Sequence, residues 1–136
     1  MTKTAMLDTR VIIQGIPDDI IDEIENYCSS AIVRAELMHG LDSFIDDPAV
    51  SEDRAKRRRL LIQNLDAIDG FWADFGLEAS DGYGVLTAHP KSAIRQKDAL
   101  IAGQAVALKI PLITHDRGFS RFDAEVRIIQ LPDSTR

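Results

Sequence analysis

Short apolar runs alternate with longer amphipathic stretches along this chain, and the alternation predicts strands that alternate with helices. The first run consists of TAML at 4–7 and VII at 11–13, on either side of Asp8. It favours a buried strand that ends near Asp8 or just past it. Further apolar runs predict strands over 27–33, 110–114 and 126–131, the last at an edge of the sheet.

Helices are expected between these strands. Pro17 and the two aspartates after it start one over 18–27, because proline and acidic residues both suit the first helical turn. Its Ile20, Ile21 and Ile24 are expected to face the core. Gly82 and Gly84 weaken a helix predicted over 79–87. Apolar spacing and cap signals predict the remaining helices, which are one after Ser29 or Ser30, one over 54–68 and one over 98–108.

Together these elements predict an α/β fold with one domain over residues 1–136. We expect a parallel sheet of four to five strands, flanked by helices on both faces, because strand–helix–strand units favour parallel pairing.

Composition limits the cellular compartment and the kinds of partner that we expect for the protein. The single Cys28 forms no internal disulfide, so we expect a buried structural thiol and a reducing, cytoplasmic location. Asp8 and Arg10 interrupt the first apolar stretch, which argues against a signal peptide, and no apolar run is long enough to span a membrane. The net charge of −6 argues against broad charge-driven binding of nucleic acid, although it permits a local basic patch beside an acidic cleft.

Four acidic residues carry the candidate chemistry. Asp8 and Asp116 follow predicted strands, and functional sites of open α/β sheets form at the carboxyl ends of strands. Asp98 lies at a helix start, and Glu36 lies on the edge of the apolar stripe of the helix after the second strand. Carboxylates brought together repel one another, and a hard divalent cation such as Mg²⁺ resolves that repulsion while activating water against a phosphodiester.

Each acid also has a simpler structural interpretation. Asp98 alone is typical of a helix cap, Asp116 of a turn with the Arg-Gly that follows it, and Glu36 of a solvated helix face. Asp8 is the hardest to explain in this way, because an unpaired acid within an apolar strand is costly. Spacing alone therefore leaves both interpretations of the quartet open.

Four segments of the sequence resemble a known family. MLDTRVII, IVRAELMHG, KDALIAGQAVAL and PLITHDRGFSRF occur in the order that is typical of PIN-domain ribonucleases, specifically the VapC-type toxins of bacterial toxin–antitoxin pairs. The resemblance covers nearly the whole chain. DALIAGQA together with THDRGF is its specific part, since LDT alone is a weak signal.

The resemblance implies an endoribonuclease that depends on Mg²⁺, with Mn²⁺ as a substitute. It assigns Asp8, Glu36, Asp98 and Asp116 as the metal-binding and catalytic quartet, and Thr114 as a residue that supports the last acid by hydrogen bonding. It also implies a cognate VapB-type antitoxin, a homodimer and a higher toxin–antitoxin assembly. Phosphate contacts require little beyond positive charge, so the candidate RNA contacts are the basic residues near the quartet: Arg10, Lys91, Arg95, Lys97 and Arg117.

Two positions depart from the family pattern. Arg10 stands where such toxins usually have Asn or Asp after LDT, and Gly103 stands where they usually have Ala, which we interpret as a packing variation. Arg10 keeps a second hypothesis open, in which the chain is a catalytically impaired PIN-like module that docks an antitoxin or RNA without cleaving. An unrelated α/β phosphotransfer domain fits poorly, because the sequence lacks a phosphate loop and a DxD after the first strand.

Overall fold

The computed structural model describes residues 3–88 and 95–132. A five-stranded sheet forms its centre, with the strand order β3-β2-β1-β4-β5. Every pair of neighbouring strands is parallel, which confirms the predicted parallel sheet and the edge position of the last strand. The strands are β1 (Thr4–Leu7), β2 (Asn26–Ser30), β3 (Trp72–Ala73), β4 (Leu112–Thr114) and β5 (Ile128–Gln130).

Helices cover both faces of the sheet, as predicted. They are α1 (Thr9–Gln14), α2 (Asp18–Glu23), α3 (Ala31–Asp46), α4 (Glu52–Asp66), α5 (Leu77–Thr87) and α6 (Gln96–Leu108), with a 3-10 helix over Arg117–Phe122. Neighbouring strand residues point to opposite faces, so Met6 joins a core formed with α3 to α6, while Leu7 joins a second core formed with α1 and α2. Within the described ranges, none of the helices combines the length and apolar character that a membrane span requires.

The first strand ends next to Asp8, as predicted, and the VII segment at 11–13 lies on a helix. β1 ends at Leu7, and Asp8 is the N-cap of α1, where its Oδ1 accepts a hydrogen bond from the Thr9 amide at 2.8 Å. Val11 is fully buried on α1. A strand and a short helix can both bury such a run, and the cap formed by Asp8 decides between them.

One predicted core residue was wrong and one strand was missed. Ile20 and Ile24 are buried as expected, but Ile21 is 51% exposed, because it lies about 100° around the helix from Ile20 and α2 presents only one side to the core. The sequence pattern also missed β3, since a strand of two residues has no readable alternation. It exists because it pairs with the end of β2, with Ser29 opposite Trp72.

Glycines bring α5 and α6 into backbone contact. A Cβ at Gly82 would lie 2.1 Å from the carbonyl oxygen of Gly103, and a Cβ at Gly103 would lie 2.7 Å from the Tyr83 backbone. Gly84 faces open space. Gly82 therefore has a packing role on α5 beyond the weakening of the helix expected from sequence. The contact at Gly103 supports the view of this residue as a packing feature and sets the position of α6, which carries Asp98 in its first turn.

Candidate active site

An open cleft of about 560 Å³ lies at the carboxyl ends of the central strands. All four predicted acids line it, although they come from four separate parts of the sequence. The predicted basic contacts also line it, except Lys91, which lies outside the described residues. The lining residues are Asp8, Thr9, Arg10, Glu36, Arg95, Lys97, Asp98, His115, Asp116 and Arg117.

The pairing of β1 with β4 brings the first and last acids together. Leu7 lies opposite Ile113, and the Asp8 amide donates to the Ile113 carbonyl at 3.1 Å. Asp8 and Asp116 therefore follow the carboxyl ends of two adjacent strands. This is the position at which parallel α/β sheets place their functional residues.

Thr114 links these two acids. Its side chain is fully buried, and its hydroxyl donates to Asp8 Oδ2 at 2.8 Å while accepting from the Asp116 amide at 2.9 Å. Asp116 Oδ1 in turn accepts from the Gly118 amide at 2.8 Å and caps the 3-10 helix. The link to the last acid thus runs through its backbone amide, and the hydroxyl proton goes to the first acid. Sequence reasoning expected support of Asp116 alone.

Glu36 is held from two sides. The Thr9 hydroxyl donates to Glu36 Oε1 at 2.9 Å, and the Lys97 ammonium lies 3.1 Å from Glu36 Oε2. Sequence reasoning missed this contact of Thr9. The position of Thr9 directly after Asp8 in LDT could have indicated it, because Thr9 is the first residue of α1 and lines the same cleft.

The cleft concentrates negative charge. Burial is the main cause that raises the pKa of Asp8; hydrogen bonds from Thr114 and Thr9 oppose the rise, and the charges of Glu36 and Asp116 add to it. Burial, followed by the charges of Asp116 and Asp8, raises the pKa of Asp98 to about 6. None of the described residues donates a hydrogen bond to the Asp98 carboxylate. The positive charge of Arg95 opposes the rise.

Basic side chains partly balance this charge at the mouth of the cleft. Arg95 lies 3.7 Å from Asp116 Oδ2, and its side chain is 78% exposed. Lys97, which pairs with Glu36, is 58% exposed. Exposed pairs of this kind are weak, so both cations are free to exchange their partners for other anions.

The donor chemistry of the cleft fits a hard divalent cation, because all four acids offer oxygen atoms and no thiolate or imidazole is required. Among the described residues, however, no three acidic, histidine or cysteine side chains form a ready-made ligand group. Carboxylates that share a cleft without a cation repel one another. The acids that would hold an ion are Asp8, Glu36, Asp98 and Asp116.

Asp98→Asn is expected to stabilise the protein in a pH-dependent manner when divalent ions are absent. The pKa of Asp98 is about 6 in the folded chain, above its ordinary value of 3.8. The stability that protonated Asp98 contributes is therefore full below about pH 4 and is lost as the pH rises through about 6. We expect the variant to unfold at a similar temperature at pH 4 and at a temperature roughly 4 °C higher at pH 7.5, after allowing for screening at this half-buried site.

The measurement is a series of thermal melts in EDTA from pH 4 to 8. A difference in unfolding temperature that stays constant over this range would show that Asp98 is not under electrostatic stress. Asp123→Asn is a suitable control, because Asp123 is an exposed carboxylate outside the cleft.

Comparison with known proteins defines the fold. Residues 5–125 match the sequence profile of the PIN domain. VapBC-5 of Mycobacterium tuberculosis, a member of the VapBC family of toxin–antitoxin systems, superposes with a TM-score of 0.77 at 22% identity over 94% of this chain and 98% of that chain. No curated protein matches the sequence.

Two further structures share the architecture. The structure of VapBC2 of Rickettsia felis, which was determined with a bound fragment of promoter DNA, gives a TM-score of 0.68 at 22% identity over 92% of this chain and 96% of that chain. FitAcB of Neisseria gonorrhoeae gives a TM-score of 0.66 at 24% identity over 91% of this chain and 95% of that chain. At these identities the likeness establishes the fold, and the sequence profile establishes the family. The chain belongs to the PIN domain family.

Proposed function

We propose that this chain is a metal-dependent endoribonuclease and the VapC-type toxin of a toxin–antitoxin pair. The observation that carries the proposal is the presence of Asp8, Glu36, Asp98 and Asp116 in one cleft of a PIN-domain fold. The raised pKa of Asp98 supports it, because an unneutralised carboxylate beside two others is a site that a divalent cation stabilises.

The residues of the cleft have separate tasks in this proposal. Asp8, Asp98 and Asp116 hold Mg²⁺, or Mn²⁺ as a substitute, and Glu36 holds the ion or orients the attacking water. Thr114 fixes Asp8 and the backbone of Asp116. When bound, the ion supplies an activated water and stabilises charge on the phosphodiester.

Basic side chains at the cleft bind the RNA backbone. Arg10, Arg95, Lys97 and Arg117 line the cleft beside the acids. Lys91 belongs to the same proposed set. Since the net charge of the chain is −6, attraction of RNA is local to this cleft rather than a property of the whole surface.

The proposed partners follow from a similar structure and from the sequence resemblance. VapBC-5 belongs to a family of toxin–antitoxin systems, so we propose a VapB-type antitoxin for this chain. The proposal of a homodimer, a higher assembly of both proteins and a cytoplasmic location rests on the sequence resemblance. Some large apolar side chains are exposed, and an interface with a partner would remove them from water. Leu77 is 86% exposed, Val85 is 59% exposed and Ile45 is 55% exposed.

The proposal predicts cleavage of RNA, but not of DNA with the same sequence, in Mg²⁺ or Mn²⁺. Addition of EDTA should stop cleavage, because an acidic cleft without a cation repels the phosphate. Gel analysis of labelled oligonucleotides measures this, and sequencing of RNA ends after induced expression identifies the target. The absence of cleavage in either metal would reject the proposal.

The impaired-module hypothesis depends on Arg10, which lines the cleft beside Asp8. Calorimetric titration with Mn²⁺ separates the two functions. A folded chain that binds no Mn²⁺ but still binds RNA would favour the docking module, and saturable Mn²⁺ binding would favour the nuclease.

A further inference from the structure

Thr9 contacts two cleft acids with two different groups. Its backbone N–H donates to Asp8 Oδ1 at 2.8 Å, and its side-chain hydroxyl donates to Glu36 Oε1 at 2.9 Å. A hydroxyl carries one proton, so this donation commits Thr9 to Glu36. Thr9, the first residue of α1, therefore connects Asp8, which follows β1, to Glu36 of α3, 28 positions further along the chain.

Together with Thr114, Thr9 completes a continuous hydrogen-bonded chain. It runs from the Asp116 amide through the Thr114 hydroxyl to Asp8, and from Asp8 through Thr9 to Glu36. Three of the four acids are thus held by two threonines. Glu36 has no other hydrogen bond from a described residue apart from its contact with Lys97, so Thr9 is its uncharged anchor in this part of the chain.

Lys97 acts on the other oxygen of the same carboxylate. Its ammonium lies 3.1 Å from Glu36 Oε2, the oxygen that an ion held by Glu36 would also contact. Lys97 is 58% exposed, so solvent screens this pair and a doubly charged ion displaces it readily. The lysine and the ion therefore compete for one oxygen, while Thr9 keeps the other in place.

We propose that Thr9 is the positioning residue for Glu36 and that Lys97 is a counter-ion that a divalent cation displaces and RNA phosphate then engages. This inference rests on the proposed nuclease function. It assigns opposite effects to the two residues. Loss of the Thr9 hydroxyl lowers affinity for the ion because Glu36 loses its anchor, whereas loss of the Lys97 charge raises that affinity because a competitor is removed.

The test is calorimetric titration with Mn²⁺ of the full chain and its variants, with thermal melts to confirm folding. Thr9→Val keeps the shape of the side chain without the hydroxyl and should weaken Mn²⁺ binding roughly tenfold, as expected for one hydrogen bond to a charged group. Thr9→Ser keeps the hydroxyl and should restore affinity to within about twofold of the parent chain. Lys97→Gln should tighten Mn²⁺ binding several-fold and raise the KM for RNA.

A double variant distinguishes positioning from a general structural effect. If Thr9 acts through Glu36, Thr9→Val combined with Glu36→Gln should bind Mn²⁺ as Glu36→Gln alone does. Additive losses, or parent-like affinity of Thr9→Val, would overturn the role of Thr9. Weaker Mn²⁺ binding by Lys97→Gln would overturn the competition. In these cases a parent chain that still cleaves RNA leaves the nuclease function standing, whereas a parent chain without Mn²⁺ binding or cleavage removes both proposals.

Discussion

Asp8→Asn is expected to lower RNA cleavage roughly 10³-fold or more and to relieve growth arrest when the chain is expressed without its antitoxin. Asp8 lies between Thr9 and Thr114, with both carboxylate oxygens engaged and its side chain at the base of the acidic cleft. Replacement by an amide removes one negative charge from the set that would hold the cation. Quantitative cleavage of a labelled RNA at saturating Mg²⁺ measures the loss.

Asparagine is the appropriate replacement because it separates chemistry from folding. It caps a helix about as well as aspartate, so the hydrogen bond from the Thr9 amide can persist. It removes the burial penalty that raises the pKa of Asp8, but it also removes the carboxylate oxygen that accepts from the Thr114 hydroxyl, so thermal melts are needed to confirm that the variant folds. Asp18→Asn is the matched control, since Asp18 is an exposed acid at the start of another helix outside the cleft. Undiminished cleavage by a folded Asp8→Asn protein would reject this assignment.

Gly82→Ala is expected to give the largest loss of stability, about 3 kcal/mol in the free energy of unfolding or roughly 10 °C in melting temperature. The added methyl would lie 2.1 Å from the Gly103 carbonyl oxygen and 3.3 Å from the Ala107 amide, so the backbones of α5 and α6 must move apart. Because Asp98 lies in the first turn of α6, this displacement should also weaken Mn²⁺ binding. Thermal and chemical denaturation measure the first effect, and calorimetry measures the second.

Gly84→Ala is the control within the same helix and should have the opposite sign. Nothing lies within 4 Å of a Cβ at Gly84, and the residue is exposed on α5. Alanine is there expected to stabilise the helix by roughly 0.8 kcal/mol, as in other exposed helix interiors. Equal effects of the two substitutions would show that the clash at Gly82 relaxes without cost and that helix propensity alone matters.

The sequence predicted most of the fold because its signals are local. Apolar runs and the proline and serine cap signals identified the sheet, its parallel pairing and the longer helices. Errors occurred where local signals were ambiguous. Ile21 fits the apolar pattern of its helix but lies on the exposed side. A two-residue strand such as β3 exists only through its neighbour, so no pattern within it could reveal it.

The candidate site was likewise predictable in part from the sequence. The identity of the four acids, of Thr114 and of the basic residues came from the sequence, through the resemblance and the positions of strand ends and helix starts. Tertiary structure alone decided that the Thr114 hydroxyl donates to Asp8 rather than to Asp116, and that Thr9 donates to Glu36. It also decided that Gly82 packs against α6 whereas Gly84 faces open space. These features join residues distant along the chain, and the direction of a hydrogen bond or the gap between two backbones exists only once strands and helices have packed.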